Sequence, residues 1–132
     1  MTKLELRSVV VPDKPGKGVR MLSAFQAAGV NFIGIWGYPV GKNKSQIDLV
    51  AQEPALLKKA AKQLKIDLGK KKIVFHITGE DHPGALAQIL AKLAAKNINV
   101  YAVQALCAGS GHFGAIVQVE QGDVKKTAKA LA

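Results

Sequence analysis

The chain has 132 residues, enough for one ordinary domain or two small ones, and its 48% hydrophobic and 21% charged residues exclude a disordered or fibrous protein. Nineteen Lys and Arg against nine Asp and Glu leave a formal net charge of +10, so nucleic acid has to be weighed as a partner. Cys107 is the only cysteine, which excludes an intrachain disulfide, suits a reducing cytoplasm and is read as a buried packing residue.

Charge recurs at every second residue over Lys3, Glu5 and Arg7, so there is no apolar signal-peptide core at the N-terminus, and no apolar run approaches the length of a membrane span. Leu4–Val11 is predicted as a strand and Asp13–Gly18 as a loop. Val19–Ala28 is predicted as a helix stopped by Gly29. Asn31–Val40 and Ser45–Gln52 read as a hairpin about Gly41-Lys42-Asn43-Lys44. Leu57, Ala60, Ala61 and Leu64 have the spacing of one buried helical stripe, with Pro54 near its start. Ile66 and Leu68 suggest a short fourth strand. The same order then begins again. Lys72–Thr78 is a strand, residues 79–84 a Gly- and Pro-rich loop, and Leu86, Ile89, Leu90 and Leu93 a helix stopped at Asn97. Asn99–Cys107 and His112–Glu120 form a second hairpin, and Val124, Thr127, Ala128 and Leu131 a last helix.

The repeat is visible residue by residue. Asp13, Pro15, Gly16 and Asn31 recur 68 positions later as Asp81, Pro83, Gly84 and Asn99, whereas Leu57 and Leu64 match Val124 and Leu131 at an offset of 67, so one residue is lost in a loop between them. The expectation is an α+β protein of two tandem ferredoxin-like βαββαβ units, residues 1–68 and 69–132, with antiparallel sheets and the helices on one face. The bare sheet face is then to be covered by pairing or stacking of units, within the chain or across a homodimer.

No catalytic motif is present: no Cys-x-x-Cys, His-Glu-x-x-His, Walker loop or Gly-x-Ser-x-Gly. His76, His82 and His112 lack metal-ligand spacing, so neither a metal nor a cofactor is expected. The informative feature is the doubled Asp-x-Pro-Gly loop between a strand and a helix. Pro and Gly allow a tight turn and a close approach of ligand to backbone, and free amides at a helix start favour an anion. Asp13 and Asp81 either accept from a ligand ammonium or cap the helix. Asn31 and Asn99 supply a donor and an acceptor. Together these groups suit an α-amino acid, and the same residues also make a good turn-and-cap sequence.

Asp81-His82-Pro83-Gly84-Ala85-Leu86, Asn97-Ile98-Asn99-Val100 and Phe113-Gly114-Ala115-Ile116-Val117 resemble the signature of the ACT domain family. A similar set stands in the first half: Asp13-Lys14-Pro15-Gly16, Gly29-Val30-Asn31-Phe32 and residues 47–51. The resemblance implies two tandem regulatory modules that are not an enzyme and bind an amino acid at the interface of paired copies. It implicates Asp81, Pro83, Gly84, Asn99 and Val100, and in the first copy Asp13, Pro15, Gly16, Asn31 and Phe32. The first copy departs from the family pattern in having Gly18 where Leu is usual, and in carrying Lys17 and Arg20 at the helix start. The resemblance leaves room for a homodimer and a partner enzyme. The other readings are a structural pairing module without ligand and a basic nucleic-acid-binding module. The last is disfavoured because the first and third strands offer only Phe75 and Phe113 for base stacking, and phosphate recognition favours Arg, of which there are two.

Overall fold

The computed structural model describes all residues, Met1–Ala132, as β1 (Thr2–Pro12), α1 (Lys17–Ala27), β2 (Phe32–Pro39), β3 (Lys44–Ala51), α2 (Pro54–Leu64), β4 (Lys72–Glu80), α3 (Ala85–Ala95), β5 (Val100–Cys107), β6 (His112–Val119) and α4 (Val124–Leu131). The chain divides into two compact units, Glu5–Lys72 and Ile73–Ala132 together with Met1–Leu4. The expected α+β architecture of tandem ferredoxin-like units is the one observed.

In the first unit the strand order is β2-β3-β1, all antiparallel, with Arg7 opposite Leu49 at one end of the β1–β3 ladder and Pro12 opposite Lys44 at the other. In the second it is β4-β6-β5, with Phe75 opposite Val117 and Glu80 opposite His112. The repeat extends to irregularities: β2 has a bulge between Phe32 and Gly34, and β5 has one between Val100 and Ala102. Both hairpins keep the 68-residue offset through β3 and β6. The missing residue therefore falls in the connection that follows, where Ala51 leads into α2 at Pro54 but Val119 leads through a single 3₁₀ turn, Gln121–Asp123, into α4.

Each unit has its own core, formed where alternate strand residues meet the helix stripes. In the first, Val9, Ile47, Leu49 and Ala51 pack against Met21 and Phe25 of α1 and Leu57, Ala60 and Ala61 of α2. In the second, Phe75, Ile77, Val117 and Val119 pack against Leu93, Ile89 and Leu90 of α3 and Val124, Ala128 and Leu131 of α4. Phe25 and Leu93 are equivalent in the repeat and both are fully buried. The helix ends are also shared. Gly29 and Asn97 adopt positive φ after α1 and α3, and the next amide, Val30 or Ile98, donates to the carbonyl of Phe25 or Leu93. That closes the last turn in the manner of a Schellman motif.

Four expectations change. First, β1 begins at Thr2 rather than Leu4, because the Lys3-Glu5-Arg7 alternation is itself a strand pattern. Second, β4 runs on to Glu80, so Gly79 belongs to the strand and lies opposite Phe113. Third, α1 starts at Lys17, and Gly18 is tolerated in its first turn. Fourth, Ile66 and Leu68 do not form a strand: Lys65 ends α2 in the left-handed region, and the segment that follows makes one backbone bond to β1, from Gly69 N–H to Ser8 O at 2.7 Å. Their side chains still pack against the first core. No helix is long and apolar enough to cross a membrane.

Truncation should report on the two cores separately. Phe25→Ala is expected to cost about 3–5 kcal/mol and Leu93→Ala about 2–5 kcal/mol. Urea unfolding followed by the Trp36 emission, in the first unit, and by far-UV circular dichroism would measure both.

Candidate functional site

The sequence Lys14-Pro15-Gly16-Lys17 folds as a turn in which the Lys17 N–H donates to the Lys14 carbonyl at 3.3 Å. In the second copy Ala85 N–H donates to His82 O at 3.1 Å across Pro83-Gly84. Pro at the second position and a left-handed residue at the third are the demands of a type II turn, and Gly16 (φ 87°) and Gly84 (φ 84°) meet the second of them. Each glycine also occupies the N-cap position of its helix, and neither helix has a side-chain cap. The capping role considered for Asp13 and Asp81 is thereby excluded. The helices begin with Arg20 N–H bonded to Gly16 O and Gln88 N–H to Gly84 O. The intervening amides of Gly18 and Val19, and of Leu86 and Ala87, are left without an acceptor in the chain.

A cleft opens beside each of these turns. The one in the second unit, of about 410 Å³, is bounded by Asp81, His82 and the start of α3 on one side and by Leu106, Cys107 and Phe113 on the other. The one in the first unit, of about 300 Å³, is bounded by Asp13, Lys14 and Gly18 on one side and by Gly37, Tyr38 and Pro39 on the other. Positions 37–39 and 105–107 are equivalent in the repeat, so both clefts are built alike: the turn, the first helical turn and the far end of the following strand. Gly37, Pro39, Ala105, Leu106 and Cys107, at the C-terminal end of that strand, were not among the sequence candidates, although their place at the same offset beside each hairpin turn was the available signal.

The two clefts differ chemically. In the first, the Asp13 carboxylate accepts from Ser45 Oγ at 3.0 Å, and the Asp13 N–H donates to Asn43 O at 3.0 Å. In the second, the Asp81 N–H donates to Gly111 O at 2.8 Å, but its carboxylate accepts no hydrogen bond from the chain. His82 Nδ1 donates to the Pro83 carbonyl at 2.9 Å, which leaves Nε2 available as an acceptor in that tautomer. Cys107 is exposed at the end of β5 rather than buried, because it stands on the outer strand of its sheet, where no further strand or helix covers it.

The structure places the remaining candidates elsewhere. Asn31 and Asn99 sit at the other end of β2 and β5, roughly 25 Å along strands of eight residues from the turn-side end. Asn31 Nδ2 donates to Gln52 Oε1 at 3.1 Å beside a void of about 20 Å³, too small for any ligand but a water. Phe32 packs edge-on against Phe25 with ring centroids 5.9 Å apart, and Val100 packs on the second core, so both are half-buried structural residues within their units. Asp13, Pro15 and Gly16 are together at one end of the first unit, and Asp81, Pro83 and Gly84 at one end of the second; neither group meets its asparagine inside its own unit. The three histidines lie in β4, the β4–α3 turn and the start of β6, and no three His, Cys, Asp or Glu side chains are grouped to hold a metal ion.

Sequence reasoning passed over a further polar group. Asp48 is 2% exposed on the β3 face that points away from the helices. Its carboxylate accepts from Ser8 Oγ at 2.6 Å, Gln46 Nε2 at 2.9 Å and Tyr38 O–H at 3.0 Å. Three neutral donors thus hold a buried carboxylate. Tyr38 links the two features: it borders the first cleft, and its hydroxyl donates to Asp48.

No family model and no curated protein matches the sequence. Solved structures do. A protein from Bacteroides thetaiotaomicron superposes with a TM-score of 0.86 at 16% identity, covering 98% of this chain and 86% of its own. The regulatory subunit of aspartate kinase from Thermus flavus gives 0.67 at 12% identity, covering 98% and 90%. That from Thermus thermophilus, in a ligand-free form, gives 0.65 at 12% identity, covering 98% and 89%. The chain therefore has the fold of these proteins over nearly its whole length.

The turn glycines can be tested without touching the clefts' side chains. A Cβ at Gly16 or Gly84 would meet nothing within 4 Å, so the cost of Ala there is purely that of a left-handed backbone, about 1–2 kcal/mol. Gly122→Ala, also in open space but without positive φ, is the control and should be neutral or slightly stabilising. Thermal unfolding of the three variants would show whether the order holds.

Proposed function

We propose that this protein is a non-catalytic regulatory module that binds a small zwitterion, an amino acid, at its strand-to-helix clefts. One observation carries the reading: in the second unit an uncompensated carboxylate, Asp81, lies beside the unpartnered amides of Leu86 and Ala87 in one open cleft. A carboxylate complements an ammonium, and amides at a helix start complement a carboxylate. The fold shared with aspartate kinase regulatory subunits supports a regulatory role. Apolar Leu106 and Phe113 on the opposite wall suit a ligand with an apolar side chain. The first cleft, whose aspartate is already bonded to Ser45, is the weaker site. Since Asn31 and Asn99 lie far from the turns of their own units, they contribute only where a second ACT-like unit is paired with the first, as in a homodimer. A ligand at such a junction controls pairing by favouring one arrangement, and through it a partner enzyme.

A thermal-shift screen against the twenty amino acids is the test. A ligand at about 100 times its Kd adds roughly 2.7 kcal/mol, a rise of several degrees for a protein of this size. One or two selective hits are expected, lost in Asp81→Ala, an exposed position whose replacement leaves the fold intact. Asn99→Ala should weaken the response only if paired units share the site. A flat screen on folded protein would leave a structural pairing module as the reading.

A further inference from the structure

The first unit has a groove that the proposed amino-acid site does not use. It lies between β1, α1 and the end of α2, and encloses about 400 Å³. Val9, Val11, Met21, Leu64 and Ile66 supply apolar walls, and Lys17, Arg20 and Lys65 stand at the rim with a single acid, Asp67. None of these three cations has a carboxylate within ion-pair distance, Asp67 included. Val10 and Leu64 remain 54% and 39% exposed there. In the repeat, Lys17, Arg20 and Lys65 correspond to Ala85, Gln88 and Ala132, so the charged rim belongs to the first copy alone.

The groove exists because the fourth strand of the ferredoxin-like pattern is not completed. The segment after α2 makes one backbone bond to β1, at Ser8, and leaves the edge at Val10 beyond it uncovered. That edge is too short for an added peptide strand. Ser8 O is already taken by Gly69, Pro12 has no N–H and its carbonyl accepts from Lys14, so Val10 is the one residue left to pair. A ladder needs more than one residue, whereas a small molecule needs only walls and a counter-charge.

We propose that this groove binds a free amphipathic carboxylate, its alkyl or aryl tail against Val9, Met21 and Leu64 and its head on Arg20 and Lys65. Arg is suited to the head because its planar fork binds carboxylate bidentately. The site shares only Val11 with the first cleft and nothing with the second, and neither Arg20 nor Lys65 lines a cleft, so success or failure here is separate from that of the amino-acid reading.

The probe is sodium decanoate below its micelle concentration, titrated into the full chain and followed by amide chemical shifts. Saturable binding is expected, with shifts centred on residues 9–11, 20–24 and 64–67. Arg20→Gln with Lys65→Gln, both exposed, should weaken it by about tenfold. Acetate, lacking the tail, and decyltrimethylammonium, carrying the wrong charge, should not compete. Unchanged affinity in the double variant, or shifts confined to the clefts, would overturn the proposal. So would binding to phosphatidylglycerol vesicles, or to an acidic valine-rich peptide, without saturable decanoate binding.

Discussion

A left-handed glycine stands directly before α1 and α3, and the geometry of both clefts depends on it. At φ near 85° only glycine is unstrained, and with proline before it the chain reverses within two residues and enters a helix at once. Because the N-cap position is filled by a residue without a side chain, nothing from the chain occupies the amides of Gly18 and Val19 or of Leu86 and Ala87. A serine or aspartate in that place would satisfy them internally and close each cleft to an anion. The conformational demand and the chemical opportunity are one constraint.

On that common backbone the two copies have diverged in side chains. The second cleft is apolar on one wall and polar on the other, and keeps Asp81 unengaged. The first has Gly18 where the second has Leu86, ties Asp13 to Ser45, and borders a tyrosine that serves the Asp48 cluster. It also carries the cationic groove. Duplication here preserved bulges, helix stops and core positions, which burial enforces, and released the exposed ones.

Much of this was legible in the chain itself. The order of elements followed from helical stripes and strand alternation, and the recurrence of Asp-x-Pro-Gly placed the turns. What the sequence could not convey was distance along a strand. Asn31 follows Gly16 closely in sequence, yet a whole helix separates them and delivers Asn31 to the opposite end of the unit. Phe32 and Val100 were candidates by motif and proved to be packing residues, because side chains at a strand start also face the helices. Cys107 looked like a core residue by type, and only its place on an outer strand exposes it. The uncompleted fourth strand was equally hidden, since Ile66 and Leu68 have strand-like spacing but bury their side chains without a ladder.

Asp48 has a consequence for how a duplicated chain folds. Two halves with the same element order invite exchange, in which β6 inserts beside β1 or β3 beside β4. The registers make both exchanges unfavourable. Beside β1, Ile116 would stand where Asp48 does and leave the Ser8 hydroxyl without its acceptor. Beside β4, Asp48 would face His76 in place of Ser8 and lose the nearest of the donors that hold its charge in a buried place. A single buried carboxylate thus labels one strand as belonging to one half, a form of address that a hydrophobic residue of the same size cannot carry.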